Sequence, residues 1–435
     1  MEAILTPVST KNLFGLVCFL VVIIPLNRFQ STYFRVVFWF FRADYVCILD
    51  DSGELATKPF WIYTDVLGLR ELIKRFSELS LDNDDFIVGL ESTGAFSENL
   101  YEYIIDSDYK AILLNSYQTA KFRDFSTMKK IKNDAIDALV IAELLLTAKY
   151  KESHISNEAY HSLKVLGRTK KSLMDKIKTI KREISTVMAT VNPEITKVFP
   201  NIFTKTALEV IKVYPTATHI AQATPKKLTR LFRHIKGNNF SEEKAKLLME
   251  LANTSVYAGR ACKARASLLS SYIRILELYC QEKKEIEAQI KQLIEEEIDT
   301  IDNTVENLQS IPGVSDKTIS AILGECGDLR RFESAKAFIG YLGLYPTQYQ
   351  SGNSLSVGRL AKRGIPIAKH ALYMAAVGSV LHNPQLNKLF KDKVSSGKSK
   401  KEALIILSKK IAMIMFAIVK YNKPYDSHRV FMPKK

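Results

Sequence analysis

Three acidic side chains have the types and spacing of a metal site. Glu91 follows a short apolar run, residues 86–90, that predicts a buried strand, and Asp134 and Asp137 stand three residues apart at the start of a predicted helix. Carboxylates from separate elements can hold Mg²⁺ or Mn²⁺, which activates one oxygen and stabilises another during attack on a phosphodiester. The ordinary alternatives are a solvated strand end for Glu91 and helix capping for the two aspartates.

A second group of candidates lies in a polar segment, residues 347–364, that the sequence predicts to be a loop. Ser351 stands beside a glycine there, and three cations follow it: Arg359, Lys362 and Arg363. A serine hydroxyl can attack a phosphate, and neighbouring cations can stabilise the charge that develops. The alternative is a structural turn, because segments rich in Ser, Gly and Asn are usually turns.

A third candidate is the turn around Gly313, in the segment SIPGVSDKTISAILGECGD at residues 310–328. The pattern predicts a helix, a Pro-Gly-Val turn and a second helix, which is a helix-hairpin-helix. Backbone N–H groups at such a turn can contact a DNA phosphate. A tight helical hairpin without any ligand is the alternative.

The elements that must position these residues differ along the chain. Apolar runs at 45–49, 60–63, 86–90 and 111–114 predict strands, and residues 66–79, 96–105 and 133–150 predict helices, so the first part is an α/β domain. Two long stretches, 163–191 and 269–293, carry apolar residues at alternating spacings of three and four. They predict an antiparallel coiled coil with a helical insert at its tip, or alternatively a helical bundle. Residues 332–342, 366–381 and 398–421 predict further helices.

Composition favours a polyanionic partner in a reducing compartment. The 435 residues carry a net charge of +16, and residues 359–435 hold 17 lysines and arginines against three acidic residues. Such a basic block is typical of nucleic-acid binding, although a solvated surface is the alternative. Five scattered cysteines exclude a disulfide framework and a structural zinc site, which predicts a cytoplasmic protein. The apolar run at 13–26 is too short to predict a membrane span.

Together, five motifs resemble the insertion-sequence transposases of the IS110 family, which includes the Piv-type DNA invertases. The motifs stand in a fixed order between residues 44 and 430: VGLESTGAFSENL at 88–100, KNDAIDALVIAELL at 132–145, the helical hairpin at 310–328, GYLGLYPTQYQSGNSLSVGRLAKRG at 340–364, and HALYMAAVGSVLHNP at 370–384.

The resemblance implies a ribonuclease-H-like N-terminal domain with an Asp-Glu-Asp-Asp metal site. Glu91, Asp134 and Asp137 match the second, third and fourth acids, and Ser351 matches the catalytic serine. The implied activity is cleavage and rejoining of DNA at element ends, with Mg²⁺ or Mn²⁺ as cofactor and a covalent protein–DNA intermediate. The resemblance also implies a structured guide RNA as partner, and the coiled coil suggests a homo-oligomer.

The beginning of the chain departs from the family pattern. The family's first strand reads like Gly-Ile-Asp-Val-Ser-Lys, whereas residues 36–41 here read VVFWFF, so the place of the first acid falls near Phe38. The expected divisions are an aberrant segment at 1–42, a catalytic domain at 43–152, a coiled-coil domain at 153–307 and a C-terminal domain at 308–435. A catalytically inactive DNA- or RNA-binding remnant is therefore the alternative to an active transposase.

Overall fold

A computed structural model describes residues 19–23, 43–79, 83, 86–92, 95–126, 134–147, 149–150, 152–153, 156–235, 241–257, 259–298, 303–351 and 354–429. The chain divides into two compact units, Met1–Ile155 and Ser156–Lys435.

The first unit alternates strands and helices. Its elements, in chain order, are β1 (Phe19–Ile23), β2 (Ala43–Val46), β3 (Phe60–Tyr63), α1 (Val66–Ser77), β4 (Ile87–Glu91), α2 (Ala95–Asp106), β5 (Lys110–Leu114), α3 (Ser116–Ser126) and α4 (Asp134–Leu146). The predicted α/β character is confirmed. Helix α3 was missing from the predicted elements, because its sequence SYQTAKFRDFS is mostly polar.

Strand β4 lies in the middle of a three-stranded sheet, between β1 and β5. It runs parallel to β5, and helix α2 provides the crossover that parallel neighbours require. Strand β1 runs antiparallel to β4, with Phe19 opposite Glu91. Its sequence, FLVVI, contains no acidic residue. Residues 36–41, which the sequence analysis places at the first strand, lie outside the described residues.

Strands β2 and β3 pair in antiparallel orientation, with Ala43 opposite Tyr63. The core beneath is aromatic: Phe76 stacks on Phe86 with ring centroids 5.2 Å apart, and Tyr109 meets both rings edge-on. Strand β4 is buried along nearly its whole length, as expected for the central strand of a covered sheet. Cys47 is a buried core residue.

The second unit is helical apart from one hairpin. Its elements are α5 (Glu158–Val191), α6 (Ile195–Val198), α7 (Lys205–Val213), α8 (Ala217–Ala221), α9 (Pro225–His234), α10 (Glu242–Asn253), α11 (Cys262–Leu293), α12 (Thr304–Gln309), α13 (Asp316–Cys326), α14 (Ala335–Leu342), β6 (Pro346–Ser351), β7 (Ser354–Leu360), α15 (Pro366–His382), α16 (Pro384–Ser395) and α17 (Lys400–Tyr421).

Helices α5 and α11 pack along each other in opposite directions. Leu163 near the start of α5 shares a core with Ile290 near the end of α11, whereas Ile184 shares another core with Leu269. Helices α6 to α10 close this second core, so the predicted pair of long helices with a helical insert is confirmed. The coiled coil and the ribonuclease-H-like topology stay predictions.

The predicted helical hairpin is present as α12 and α13, and Gly327 is the C-cap residue of α13. The predicted helices at 332–342, 366–381 and 398–421 correspond to α14, α15 and α17. Cys326 lies in the core of this region, and burial raises the pKa of its thiol.

One prediction for the second unit was wrong. Residues 347–364 are not a loop but contain the antiparallel pair β6 and β7, in which Ser351 pairs with Ser354. The physical reason is a two-residue Gly-Asn connection, which favours a hairpin between flanking strands.

None of the helices in the described part of the chain is long and apolar enough to cross a membrane. Of the apolar run at 13–26, residues 19–23 are described, and they form strand β1.

Candidate active site

Glu91 is the last residue of β4, and its side chain is only 5% exposed. The hydroxyl of Thr119, on α3, donates a hydrogen bond to Glu91 Oε1 at 3.0 Å. Thr119 is itself fully buried. The carboxylate of Glu91 therefore lies in the interior at the C-terminal end of β4, where the hydrogen bond from α3 orients it.

Asp137 reaches the same place from α4 and is 1% exposed. It lies close enough to Glu91 for its negative charge to affect the titration of that group. Two of the predicted acids thus come together from separate elements. The third, Asp134, is the first residue of α4, and its side chain lies outside the described residues.

Arg123 of α3 accompanies the two acids. Its Nε lies 2.6 Å from Asp137 Oδ1, and its side chain is 20% exposed. Its positive charge also favours the ionised form of Glu91. The guanidinium therefore supplies a positive counter-charge to these two carboxylates.

The donor chemistry of Glu91 and Asp137 suits a hard divalent cation, since both offer only oxygen. Among the described residues no group of three or more His, Cys, Asp or Glu side chains is placed to hold a metal ion. In a metal site built on this pair, Arg123 would compete with the cation for Asp137.

Burial raises the pKa of Glu91 above its usual value. Hydrogen bonds from Ser116 and Thr119 and the charge of Arg123 lower it, and Asp137 raises it further, but burial is the largest effect. The fold thus favours the protonated acid, and a charged Glu91 costs stability at neutral pH.

We therefore expect Glu91→Gln to be more stable than the wild type near neutral pH in EDTA. Glutamine keeps an oxygen that can accept from Thr119 and removes the buried charge. Because the folded pKa is raised, the wild type loses stability as pH rises from the unfolded pKa through the folded one, and the variant does not. Urea unfolding at about pH 8 and about pH 5 should show the advantage shrinking at the lower pH. A variant less stable at both values would contradict this expectation.

Ser351 ends β6, at the tip of the hairpin, opposite Ser354. Its backbone position is described, whereas its side chain lies outside the described residues. The neighbouring Gly352 and Asn353 also lie outside them.

The base of this hairpin is fixed by tight backbone contacts. Gly343 and Gly364 both have positive φ, 72° and 91°, and a Cβ on Gly343 would overlap the carbonyl oxygen of Arg363. Lys369 Nζ donates to the carbonyl oxygens of Ala361 and Arg363, at 3.2 and 2.6 Å. The two segments at the base of the hairpin therefore approach each other this closely because both positions are glycine.

The predicted DNA-contacting residues are spread over the second unit. Lys362 and Arg363 are exposed just beyond β7, and the side chain of Arg359, within β7, lies outside the described residues. Gly313 has φ of 88° and packs against the backbone of Ser379 on α15. Ser379 Oγ donates to the carbonyl of Pro312 at 3.1 Å, so packing alone already requires glycine at this turn.

Thr119 and Arg123 are the residues that the sequence analysis missed. They lie four residues apart and therefore share a face of α3. The sequence signal for this pair was their spacing of four residues directly after a buried strand. That spacing indicates a shared face only if the segment is recognised as a helix.

Two transposase family models match the chain. A DEDD-type IS110 transposase model matches residues 42–193, and "Transposase IS116/IS110/IS902 family" matches residues 305–391. Together they span more than half of the chain, and they include all the candidate site residues.

Curated relatives are similar to the chain over different lengths. The "Pilin gene-inverting protein" of Moraxella bovis is 35% identical over 124 residues, which is 27% of this chain and 38% of that protein. The 43.6 kDa protein of insertion element IS110 from Streptomyces coelicolor is 22% identical over 300 residues, 68% of this chain and 72% of that protein. The transposase for IS1111A of Coxiella burnetii is 26% identical over 123 residues, 28% and 34% of the two chains. These matches, with both family models in order along the sequence, show that the chain belongs to the IS110 family of transposases.

Proposed function

We propose that the protein is a DNA recombinase that cleaves and rejoins DNA at the ends of an insertion element. The observation that carries the proposal is the convergence of Glu91 and Asp137, two buried carboxylates from β4 and α4, in a chain of this family. Buried carboxylates cost stability, and clusters of them are frequent where a ligand or a reaction uses them.

Ser351 is the proposed nucleophile. Its oxygen attacks a phosphorus of the DNA backbone, forms a serine–phosphate ester and displaces one deoxyribose oxygen, which takes up a proton. Rejoining reverses the exchange, because a deoxyribose hydroxyl attacks the ester and the proton returns to the serine. The number of phosphoester bonds is unchanged, so no energy source is needed.

The chain's cations complete this chemistry. Arg359, Lys362 and Arg363 follow the hairpin that carries Ser351 and would stabilise negative charge on the attacked phosphate. Glu91, Asp134 and Asp137 would hold Mg²⁺ or Mn²⁺. That ion would polarise a phosphate oxygen and stabilise the leaving oxygen.

DNA is the proposed substrate, both as element ends and as target, and Gly313 is a proposed backbone contact. A structured guide RNA and self-association through α5 and α11 belong to the same proposal. Both rest on the resemblance and on the charge of the chain rather than on any contact described above.

A second candidate function is a catalytically inactive nucleic-acid-binding remnant. Two observations favour it: β1 contributes no acid beside Glu91, and Arg123 already forms an ion pair with Asp137. Because the cluster has fewer acids and contains the guanidinium of Arg123, it can be stable in the folded protein without a metal ion.

A trapping experiment separates the two. Purified protein is mixed with DNA spanning the element junction, the transcript of its flank and Mg²⁺, and SDS-resistant protein–DNA adducts are measured. We expect an adduct from the wild type that Asp137→Asn lacks and that Asp124→Asn, an exposed acid on α3, retains. An adduct that survives Asp137→Asn would overturn the carboxylate role, and a wild type without any adduct would support the remnant.

A further inference from the structure

A cleft of about 740 Å³ lies in the second unit. One wall is α5, the floor is α13 with the turn before it, and the opposite wall is α15; α11 contributes at one end. It is half enclosed, and Gly313, the proposed backbone contact to DNA, is part of its lining.

Three lysines converge in this cleft on a single acid. Lys283 Nζ and Lys317 Nζ lie 3.5 and 3.6 Å from Glu287 Oε1, and Lys170 of α5 lies beside them. Burial lowers the pKa of Lys170, Glu287 opposes this, and the charges of Lys317 and Lys283 lower it further. The cluster therefore holds an excess of positive charge that an entering anion would relieve.

Other charges on the lining do not cancel this excess. Glu325 is the second acid there, and it accepts two hydrogen bonds from Arg168, at 2.8 and 2.9 Å. Lys171 pairs with Asp175 at the rim. Lys164 adds a further cation on the same wall.

The α15 wall has a different character. His370, Met374 and His382 lie along one exposed face of the helix, spaced by four and eight residues. Imidazole rings and a thioether offer flat or soft apolar surfaces on which an unstacked base can lie. The cleft thus sets cations on α5, α11 and α13 against an apolar wall on α15.

We propose that this cleft binds a single strand of nucleic acid, with its phosphates at Lys170, Lys283 and Lys317 and its bases against α15. A positively charged groove beside surfaces for base stacking is the general arrangement of single-strand binding. A duplex hides its base faces within the stack, so it cannot lay them against α15. The inference rests on the proposed function only for the class of polymer, because binding needs neither Ser351 nor the carboxylates.

The first test measures binding by fluorescence anisotropy with labelled strands of about 12 nucleotides. The protein is the full chain carrying Ser351→Ala, in EDTA, so that the failure of the catalytic proposal cannot affect the result. DNA single strand, RNA single strand and DNA duplex are compared over a range of salt concentrations.

Lys170→Gln with Lys317→Gln should weaken single-strand binding and lower the slope of log Kd against log salt by about 1.4, since each phosphate contact contributes about 0.7. The control pair is Lys178→Gln with Lys284→Gln, two exposed lysines on α5 and α11 outside the cleft. We expect the control to change the slope by much less. Equal slopes in both pairs would overturn the proposal.

A steric variant tests the cleft without changing charge. Gly167 lines the cleft, and a Cβ there would have no atom within 4 Å, so Gly167→Leu can fill the space without strain. Gly340→Leu is the matched control, a helical glycine in α14 with equally open surroundings. We expect Gly167→Leu to weaken single-strand binding about tenfold, the loss of roughly one stacked base, and the control to bind normally.

The comparison of the three labelled nucleic acids also identifies the ligand of the cleft. Stronger binding of RNA or of DNA single strand identifies which polymer the cleft takes, and either supports the proposal. Binding of duplex alone, normal binding by Gly167→Leu, or equal competition by polyglutamate of the same charge would each overturn it.

Discussion

Ser351→Ala should form no SDS-resistant adduct with junction DNA, while its affinity for that DNA stays close to the wild-type value. Removing a catalytic nucleophile costs at least about 10⁴-fold in rate, whereas one hydroxyl at a hairpin tip adds little to an interface built on many phosphate contacts. The measurement is the trapping experiment combined with a gel-shift titration of the same DNA. A parallel loss of both signals would make Ser351 a structural residue of the hairpin.

The matched control is Ser354→Ala, because Ser354 pairs directly with Ser351 across the same hairpin. Both substitutions remove one hydroxyl from adjacent positions of one strand pair, so their effects on the hairpin should be similar. We expect Ser354→Ala to keep the adduct. The reverse pattern, with adduct lost only in Ser354→Ala, would assign the nucleophile to the other strand.

Arg123→Gln should lower the free energy of unfolding by about 3–5 kcal/mol in EDTA. The variant leaves Glu91 and Asp137, 5% and 1% exposed, without the guanidinium that now lies against Asp137. Without that guanidinium, the two buried carboxylates repel each other more strongly or take up a proton. Mg²⁺ should restore part of the loss, because a divalent cation can occupy the place that the guanidinium vacates. Urea unfolding with and without Mg²⁺ measures both effects.

Two controls accompany this measurement. Lys121→Gln removes an exposed partner of Asp124 on the same helix, and its effect should be below about 1 kcal/mol. Arg123→Gln combined with Asp137→Asn should recover much of the stability, since it removes the stranded charge together with its partner. A loss in Arg123→Gln no larger than that in Lys121→Gln would show that Arg123 contributes no counter-charge.

Much of this fold could be predicted from sequence because its elements carry strong periodicity. The apolar spacing of three and four residues predicts α5 and α11, and the short apolar runs predict β3, β4 and β5. Helix α3 could not be predicted in the same way, because it is stabilised by tertiary contacts at Thr119 and Arg123 rather than by an apolar stripe. The hairpin that carries Ser351 could have been predicted from its two-residue Gly-Asn connection. The polar composition of residues 347–364 favoured a loop instead.

The residues of the candidate site also divide into those that the sequence could predict and those that it could not. Glu91 could be found from its place at the end of a strand, and Asp137 from its spacing to Asp134. Their ion-pair partner could not, since nothing in the local sequence of Arg123 indicates that it reaches α4. The three lysines around Glu287 are equally non-local, because they come from α5, α11 and α13.

The antiparallel packing of α5 and α11 has a consequence for the order of folding. Leu163 near the start of α5 shares its core with Ile290 of α11, so it is synthesised roughly 130 residues before that partner. At about 5–20 residues per second, a ribosome needs roughly 6–25 s to make that stretch. During this interval neither α11 nor α13 is present to cover the apolar face at the start of α5. A chain released before α11 is made would keep that face exposed and would be a target for chaperones and proteases.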